Sequence, residues 1–182
     1  MKKLILLVPI LFLTFSLKAQ DKEINWMTFK EALAAQKENP KKIMMDVYTN
    51  WCGPCKMLDK QTFHNKNLVN YVNQNFYAVK FNGESNEKIT YKGQEFGNPH
   101  YDAAKEFKRN SSHQLADHLQ IRAYPSILFF EEDGGLLAPL PGFRTAKQLE
   151  VFLKLFNTNK YKEITTEEAF SNYQKEFIYE FN

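Results

Sequence analysis

The 182-residue sequence is poor in the features that mark several protein classes. It has only two cysteines, which excludes a small fold held together by many disulfides. It has seven glycines and seven prolines, and 43% of its residues are hydrophobic, so a collagen-like fibre and a disordered chain are excluded. Its apolar run over residues 4–17 is too short to span a bilayer comfortably.

An excess of charge is also missing from most of the chain. Of the 24 lysines and arginines, three lie in the first twenty positions, where there is no acid: Lys2, Lys3 and Lys18. The other 21 (24 − 3) balance the 21 acids, so we expect neither a nucleic-acid partner nor an anionic membrane surface as a partner. The four histidines show no zinc-ligand spacing, so we expect them on the surface and expect no metal site.

The N-terminus has the order of a secretory signal peptide. Two lysines come first, the apolar run follows, and the small residue Ala19 precedes the polar Gln20. This order predicts a signal peptide over residues 1–19 and a mature domain over residues 20–182. The protein is then exported, and periplasmic if its source is a Gram-negative bacterium. An uncleaved membrane anchor is the alternative.

Hydrophobic periodicity and turn residues predict an alternation of helices and strands. Strands are predicted at residues 42–48, 76–81, 126–131 and 136–140, and a small hairpin at 89–96. Helices are predicted at residues 26–39, 52–63, 67–75, 99–108, 112–119, 145–156 and 166–181. Trp26 is placed on the apolar face of the first helix, and Met57 and Leu58 on that of the second. This order predicts an α/β fold with a mixed central sheet flanked by helices.

Both cysteines lie in one five-residue motif, Trp51-Cys52-Gly53-Pro54-Cys55. A disulfide that encloses only two residues does little to stabilise a fold, so this spacing favours reversible redox chemistry. Cys52 begins a predicted helix, where unpaired N–H groups and the helix dipole favour a nucleophilic thiolate. Gly53 lets a substrate approach, and Pro54 suits the first helical turn. Cys55, one turn further in, is the expected resolving thiol.

Two side chains near the cysteines are candidates for supporting roles. Asp46 lies on a strand predicted to be buried on both faces, where burial raises the pKa of a carboxyl group and lets it accept the proton of Cys55. An ion pair with Lys80 that serves structure alone is the alternative. Trp51 is expected to form a surface platform beside Cys52, and ordinary core packing is the alternative.

These residues resemble the thioredoxin family over residues 40–156. WCGPC is similar to the active-site motif of that family. Four further features match it in order: the buried acid Asp46 six positions before Cys52, its lysine partner Lys80, the cis-proline segment Tyr124-Pro125, and Gly142 before the last helix.

The resemblance implies a thioredoxin-like fold and an oxidoreductase that reduces or isomerises protein disulfides through Cys52 and Cys55. It implies no cofactor beyond this redox-active disulfide, and protein thiols and disulfides as partners. In the family the loop at Pro125 faces the cysteines and pairs with an extended substrate, and the position of Tyr124 tunes partner choice. A trans proline at a strand start is the alternative. We expect Cys52 to be partly exposed and Cys55 nearly buried.

A looser similarity, in the segment after the active-site helix, links the chain to the exported thioredoxin-fold domains of transmembrane disulfide reductases. It implies a membrane disulfide reductase, or another electron donor, as a partner. The direction of the reaction stays open, because exported compartments differ in redox poise. A non-catalytic peptide-binding or chaperone-like module on the same fold is the alternative function.

Two segments depart from a plain thioredoxin. The insert, residues 83–112, is polar and irregular, so we expect an excursion at one edge that adds little to the core and limits which substrates reach Cys52. The C-terminal extension, residues 160–182, is expected to form an amphipathic helix through Phe170, Tyr173 and Phe177.

Overall fold

The computed structural model describes residues 23–181. Its elements are, in chain order, β1 (Trp26–Met27), α1 (Phe29–Glu38), β2 (Ile43–Tyr48), α2 (Gly53–Gln61), α3 (Lys66–Asn75), β3 (Tyr77–Asn82), β4 (Ile89–Tyr91), β5 (Gln94–Phe96), a 3₁₀ turn (Ala103–Lys105), α4 (Gln114–His118), β6 (Ser126–Phe130), β7 (Leu136–Pro141), α5 (Ala146–Asn157), a second 3₁₀ turn (Lys160–Lys162) and α6 (Glu167–Glu176). In this described part, no helix is both long and apolar enough to cross a membrane. The predicted signal peptide lies outside the described residues.

A five-stranded sheet in the order β1-β3-β2-β6-β7 forms the centre of the fold. β3 runs parallel to both β1 and β2, whereas β6 is antiparallel to both β2 and β7. This topology confirms the predicted α/β class with a mixed sheet. Because β2 is the middle strand, the motif at residues 51–55 leaves the sheet at the centre of one of its ends.

Two hydrophobic clusters cover the two faces of this sheet. Side chains along a strand alternate between faces, so Met44 packs with Phe129 in one cluster and Met45 with Leu128 in the other. Helices α2, α3 and α5 contribute to the first cluster. Helices α1 and α4 and the β4–β5 hairpin contribute to the second. β2 is therefore buried on both faces, as the sequence predicts.

Reciprocal side-chain caps fix where two helices begin. α1 follows Thr28, whose hydroxyl accepts from the N–H of Glu31 while the Glu31 carboxylate accepts from the N–H of Thr28. Thr145 and Gln148 form the same pair at α5. Both pairs satisfy N–H groups that the first helical turn leaves without a partner, and both are readable in the sequence.

Three predictions about helices are wrong. Trp26 lies in β1, where it pairs with Ala78 of β3, because the Thr28 cap starts α1 after it. Met57 is 48% exposed, because only Leu58 of the two turns toward the sheet. Residues 99–108 form one 3₁₀ turn instead of a helix, since the side chain of Asn110 hydrogen-bonds backbone groups that a helix would use.

The insert contributes to the core, which corrects the prediction that it adds little. Its β4–β5 hairpin turns through Lys92 and Gly93, whose φ angles of 48° and 79° suit a two-residue type I′ turn. Three of its side chains are 3–4% exposed and pack in the second cluster: Ile89, Tyr91 and Phe96. Only the pairing of the two short strands brings these residues to one face, so periodicity along the sequence did not reveal them.

Removal of one hydroxyl tests this packing. The hydroxyl of Tyr91 donates to the carbonyl of Gly134 at 2.8 Å. Tyr91→Phe leaves that buried carbonyl without its donor and is expected to lower the free energy of unfolding by about 1 kcal/mol. Urea denaturation of the oxidised protein measures the change, with Tyr101→Phe as the control at a half-exposed tyrosine. A variant as stable as wild type would show that the contact contributes nothing.

The C-terminal segment docks against α5. Its helix is shorter than the one predicted over residues 166–181, because only α6 is helical there. Beyond α6, Phe181 is 3% exposed and packs edge-on against Tyr71. Glu150 of α5 is fully buried and accepts from the backbone N–H groups of Glu180 at 2.9 Å and Phe181 at 2.8 Å. A buried carboxylate therefore holds the end of the chain.

Candidate active site

The disulfide between Cys52 and Cys55 lies where β2 gives way to α2. Cys52 is the N-cap of α2, and its sulfur accepts a hydrogen bond from the backbone N–H of Cys55 at 3.1 Å. Gly53 and Pro54 form the first turn, where the missing N–H of proline costs little. The N-terminus of the helix is thus directed at the sulfur of Cys52, an arrangement that stabilises a thiolate.

Cys55 is nearly buried, as the sequence predicts, whereas Cys52 is more enclosed than predicted. Cys52 is 2% exposed and Cys55 is 5% exposed, so the expectation of a partly exposed Cys52 is wrong for the disulfide-bonded protein. The N-cap position turns the side chain of Cys52 into the first turn of α2, toward Cys55. Gly53 and Pro54 are exposed instead, and nothing lies within 4 Å of the place that a Cβ on Gly53 would take. The open approach to the disulfide is therefore over these two residues.

Asp46, on β2, is 1% exposed and lies opposite Lys80 in the sheet register. Its Oδ2 is 3.8 Å from the Nζ of Lys80, and its Oδ1 has no hydrogen-bond partner among the described residues. Burial raises the pKa of Asp46 to about 7, against the opposing attraction of Lys80. The ammonium of Lys80 is shared with Asp59, at 2.5 Å. The predicted acid and its predicted lysine are thus brought together.

The loop before β6 contains the predicted cis peptide bond, between Tyr124 and Pro125. This bond confirms the cis assignment and overturns the trans alternative. Pro125 is buried, and the next residue, Ser126, pairs with Val47 of β2. The carbonyl of Pro125 accepts from the N–H of Gly142, whose φ of 86° favours glycine. The loop therefore lies at the end of the sheet that also carries the cysteines.

Trp51 is half-buried, and three residues contact different parts of its indole. Its Nε1–H donates to the carboxylate of Glu84 at 2.7 Å. The ring of Tyr124 meets it edge-on with 6.4 Å between centroids, and the guanidinium carbon of Arg109 lies 4.8 Å from its ring centroid. Trp51 belongs to neither hydrophobic cluster, so the alternative of ordinary core packing is wrong.

Tyr124 connects the cis-proline loop to the insert. Its hydroxyl donates to the carbonyl of Gly83 at 3.3 Å, and a Cβ on Gly83 would lie only 2.5 Å from that hydroxyl. Glycine is therefore needed at this close approach. Burial raises the pKa of Tyr124 to about 12, so the hydroxyl keeps its proton at neutral pH.

The insert supplies residues at the site that the sequence did not indicate. Glu84 is 8% exposed, and its carboxylate accepts from the backbone N–H of Asn110 at 2.9 Å as well as from Trp51. The side-chain amide of Asn50 donates to the carbonyl of Glu106 at 3.0 Å. No motif marks these residues, because the partners in each contact are between 26 and 56 positions apart in the sequence.

Among residues 23–181, no three His, Cys, Asp or Glu side chains are close enough together to hold a metal ion. His113 departs from the predicted surface position, since it is fully buried. Its Nδ1 accepts from the N–H of Leu115 at the start of α4, and its Nε2 lies 2.7 Å from the carbonyl of Glu87. This histidine therefore caps a helix and anchors the insert.

Comparison with known sequences points to disulfide-exchanging proteins. Over 126 residues, 68% of this chain, the sequence is 25% identical to the thiol:disulfide interchange protein DsbD of Pectobacterium atrosepticum, matching 18% of that protein. Over 46 residues, 25% of this chain, it is 41% identical to DsbD of Vibrio cholerae, matching 8% of that protein. The chain thus spans less than a fifth of the length of these curated relatives.

Solved structures share the fold, and a family model covers most of the chain. A putative disulphide-isomerase from Bacteroides thetaiotaomicron superposes with a TM-score of 0.51 at 26% identity, over 76% of this chain and 94% of that one. The DsbH oxidoreductase superposes with a TM-score of 0.53 at 15% identity, over 77% and 88%, which shows the fold alone. The model of the thioredoxin-like domain matches residues 29–157. The chain, with its Cys-x-x-Cys pair at the head of α2, therefore belongs to the thioredoxin-like domain family and is of the disulfide-oxidoreductase type.

Proposed function

We propose that this protein is an exported thiol–disulfide oxidoreductase that reduces or isomerises protein disulfides. The observation that carries the proposal is the Cys52–Cys55 disulfide at the N-terminus of α2. A disulfide that encloses two residues closes too small a loop to stabilise a fold strongly, so its use is chemical. Similarity to proteins named for disulfide interchange and disulfide isomerisation supports the same class of reaction.

The proposed cycle has two exchange steps. In the reduced protein, the thiolate of Cys52 attacks one sulfur of a substrate disulfide. The substrate S–S bond breaks, a Cys52–substrate disulfide forms, and the other substrate sulfur leaves as a thiolate that takes up a proton. The thiolate of Cys55 then attacks the sulfur of Cys52, which releases the second substrate thiolate and restores the Cys52–Cys55 disulfide. Two electrons pass from the protein to the substrate.

Asp46 acts in the second step as the base that receives the proton of Cys55. A carboxyl group whose pKa is about 7 takes up a proton at neutral pH and also releases it again. Lys80 keeps that pKa from rising further, because its ammonium, 3.8 Å away, favours the carboxylate. In this proposal the Asp46–Lys80 ion pair supports the chemistry and does not serve structure alone.

A substrate segment is proposed to bind over the exposed Gly53 and Pro54. The loop at Pro125 offers its backbone to an extended substrate chain, which adds to it as a strand would. Trp51 and Tyr124 form the aromatic wall beside this approach, and their edge-on contact supports a shared surface.

Each reductive cycle leaves the protein oxidised, so turnover needs an electron donor. We propose that a membrane disulfide reductase, or another exported dithiol, is this electron donor. The similarity to DsbD supports this proposal. Export rests on the pattern at residues 1–19, with the periplasm as the compartment in a Gram-negative source. Residues 20–182 are proposed to be one thioredoxin-like domain, with the insert and the C-terminal extension as parts of it.

Reduction of insulin by dithiothreitol tests the proposal. Wild type is expected to accelerate the precipitation of insulin chains, and Cys52→Ser to lose that turnover, because no nucleophile remains at the helix N-terminus. Cys55→Ser is expected to accumulate a covalent complex with substrate proteins, visible on non-reducing gels, and the Cys52→Ser/Cys55→Ser double variant is its control. A wild-type protein that binds unfolded peptides but does not accelerate insulin reduction would favour the chaperone-like alternative.

A further inference from the structure

A short stretch of the insert lies against the redox motif; we call residues 103–109 the arm. The side-chain amide of Asn50 donates to the carbonyl of Glu106 in the arm. The guanidinium of Arg109 lies over the ring of Trp51, 4.8 Å from its centroid. Because Trp51 directly precedes Cys52, these contacts place the arm beside the nucleophile.

The end of the arm is held in place from two sides. The backbone N–H of Asn110 donates to Glu84, the same carboxylate that binds the indole of Trp51. The side chain of Asn110 binds the N–H of Asp102 at 3.0 Å and its carbonyl at 2.7 Å. Arg109 is thus presented from an ordered base, with its guanidinium stacked on the indole of Trp51.

The arm adds positive charge near the disulfide. In the described part of the chain, Lys105 pairs with Asp102 at 3.5 Å. The other exposed charges of the arm and of the first turn of α2 are three cations and one acid: Lys56, Lys108, Arg109 and Glu106. These exposed groups leave an excess of two positive charges, which falls to one when the mostly buried Glu84 carboxylate that binds Trp51 is counted, although the chain beyond its first twenty residues is neutral.

We propose that Arg109 determines substrate specificity by binding a substrate carboxylate next to the disulfide that Cys52 attacks. The inference rests on the proposed function and deepens it, because it names the substrate class as protein disulfides flanked by acidic residues. A guanidinium stacked on an aromatic ring still presents its planar N–H groups to a carboxylate. Phe107, which is 74% exposed on the same arm, offers an apolar contact to the same segment.

Three synthetic peptides that differ only in the residues beside one cysteine provide the probe. The flanking residues are aspartates, serines or lysines, and each cysteine carries a neutral 2-thiopyridyl disulfide whose release is followed by absorbance. At low ionic strength, the reduced full-length protein is expected to react about fivefold faster with the aspartate peptide than with the lysine peptide. The ratio is expected to approach one in 1 M NaCl, where exposed charges are screened.

Charge reversal at Arg109 identifies the residue responsible. Arg109→Glu is expected to invert the ratio of the two rate constants, and Arg109→Lys to keep part of it. Lys30→Glu changes the net charge equally and is expected to leave the ratio unchanged. Lys30 is exposed on α1 and lines the same surface cavity as Asp133 and Gly134, whose turn lies at the end of the sheet opposite to the cysteines.

The outcomes distinguish a failure of the specificity proposal from a failure of the proposed function. If Arg109→Glu changes the rates with all three peptides by one factor, the residue acts on the thiolate or on Trp51, and the specificity proposal is overturned. A wild-type ratio near one overturns it as well. If reduced wild type fails to react with the serine peptide too, the proposed function itself is overturned.

Discussion

At pH 8 the oxidised Asp46→Asn variant is expected to be more stable than wild type, by up to about 4 kcal/mol. Burial holds the pKa of Asp46 at about 7 in the folded protein, against an ordinary value of 3.8. Each unit of that difference corresponds to about 1.4 kcal/mol. Above pH 7 the wild type must keep a carboxylate that is 1% exposed and whose Oδ1 has no partner in the described structure, whereas an amide carries no charge.

The pH dependence gives this prediction its sign. Between about pH 4 and 7 the folded protein keeps a proton on Asp46 that the unfolded chain has already released. The free energy of unfolding of the wild type is therefore not reduced by Asp46 below about pH 4, where the folded and unfolded states are both protonated. It falls as pH rises through that window. The advantage of the variant should grow by up to about 1.4 kcal/mol per pH unit in the window and level off above pH 7.

Urea denaturation of the oxidised proteins across pH 4–9 measures the effect. Glu163→Gln removes one charge from an exposed carboxylate and serves as the control for the loss of a negative charge. If the gap between Asp46→Asn and wild type is the same at every pH, the carboxyl group is not protonated in the folded protein near neutrality.

The same variant separates the two steps of the proposed cycle. Near neutral pH the attack of Cys52 should be largely unchanged, while the attack of Cys55 should slow, because the proton acceptor is gone. Quenched-flow trapping of the mixed disulfide measures both rates. Equal resolution rates in variant and wild type across pH would leave Asp46 with a structural part only.

Glu150→Ala is expected to lower the free energy of unfolding by about 3 kcal/mol. The Glu150 carboxylate is fully buried, accepts from the backbone N–H groups of Glu180 and Phe181, and pairs with Lys154 at 2.8 Å. Truncation leaves those N–H groups without an acceptor and frees the side chain of Phe181, which is 3% exposed.

Chemical denaturation of the oxidised protein measures this loss, and Glu180→Ala is the matched control. That substitution removes only the exposed partner of Lys154, at 2.6 Å, and keeps the backbone donors, so it should cost less than about 1 kcal/mol. A loss from Glu150→Ala no larger than the control's would mean that the C-terminal segment is not held by this carboxylate.

Local sequence signals were sufficient for most of the fold. The starts of α1 and α5 can be read from Thr28 and Thr145 with their partners three residues on, because a capping box acts within one helical turn, although the helix predicted over residues 26–39 includes two residues before the Thr28 cap. The hairpin at residues 89–96 follows in the same way from its two-residue turn. Trp26 was misassigned, because strand pairing depends on a partner about fifty positions away and leaves no local pattern.

The motif and its acid were predictable for a related reason. A helix N-terminus acts on the residue that caps it, so the position of Cys52 before α2 predicts that backbone N–H groups of the first turn meet its sulfur, as that of Cys55 does. The burial of Asp46 follows from the apolar run around it, and its raised pKa follows from that burial.

Neighbouring residues in the sequence are enough to predict the redox pair and the order of helices and strands. The cis bond before Pro125, in contrast, is what the resemblance to the thioredoxin family implies. Three features depend on contacts between distant segments: the enclosure of the oxidised Cys52, the place of the insert in the core, and the contacts of Glu84 and Arg109 with Trp51. Such contacts join segments whose separation along the chain carries no periodic signal. They form because folding packs the insert against the end of the sheet where the cysteines lie.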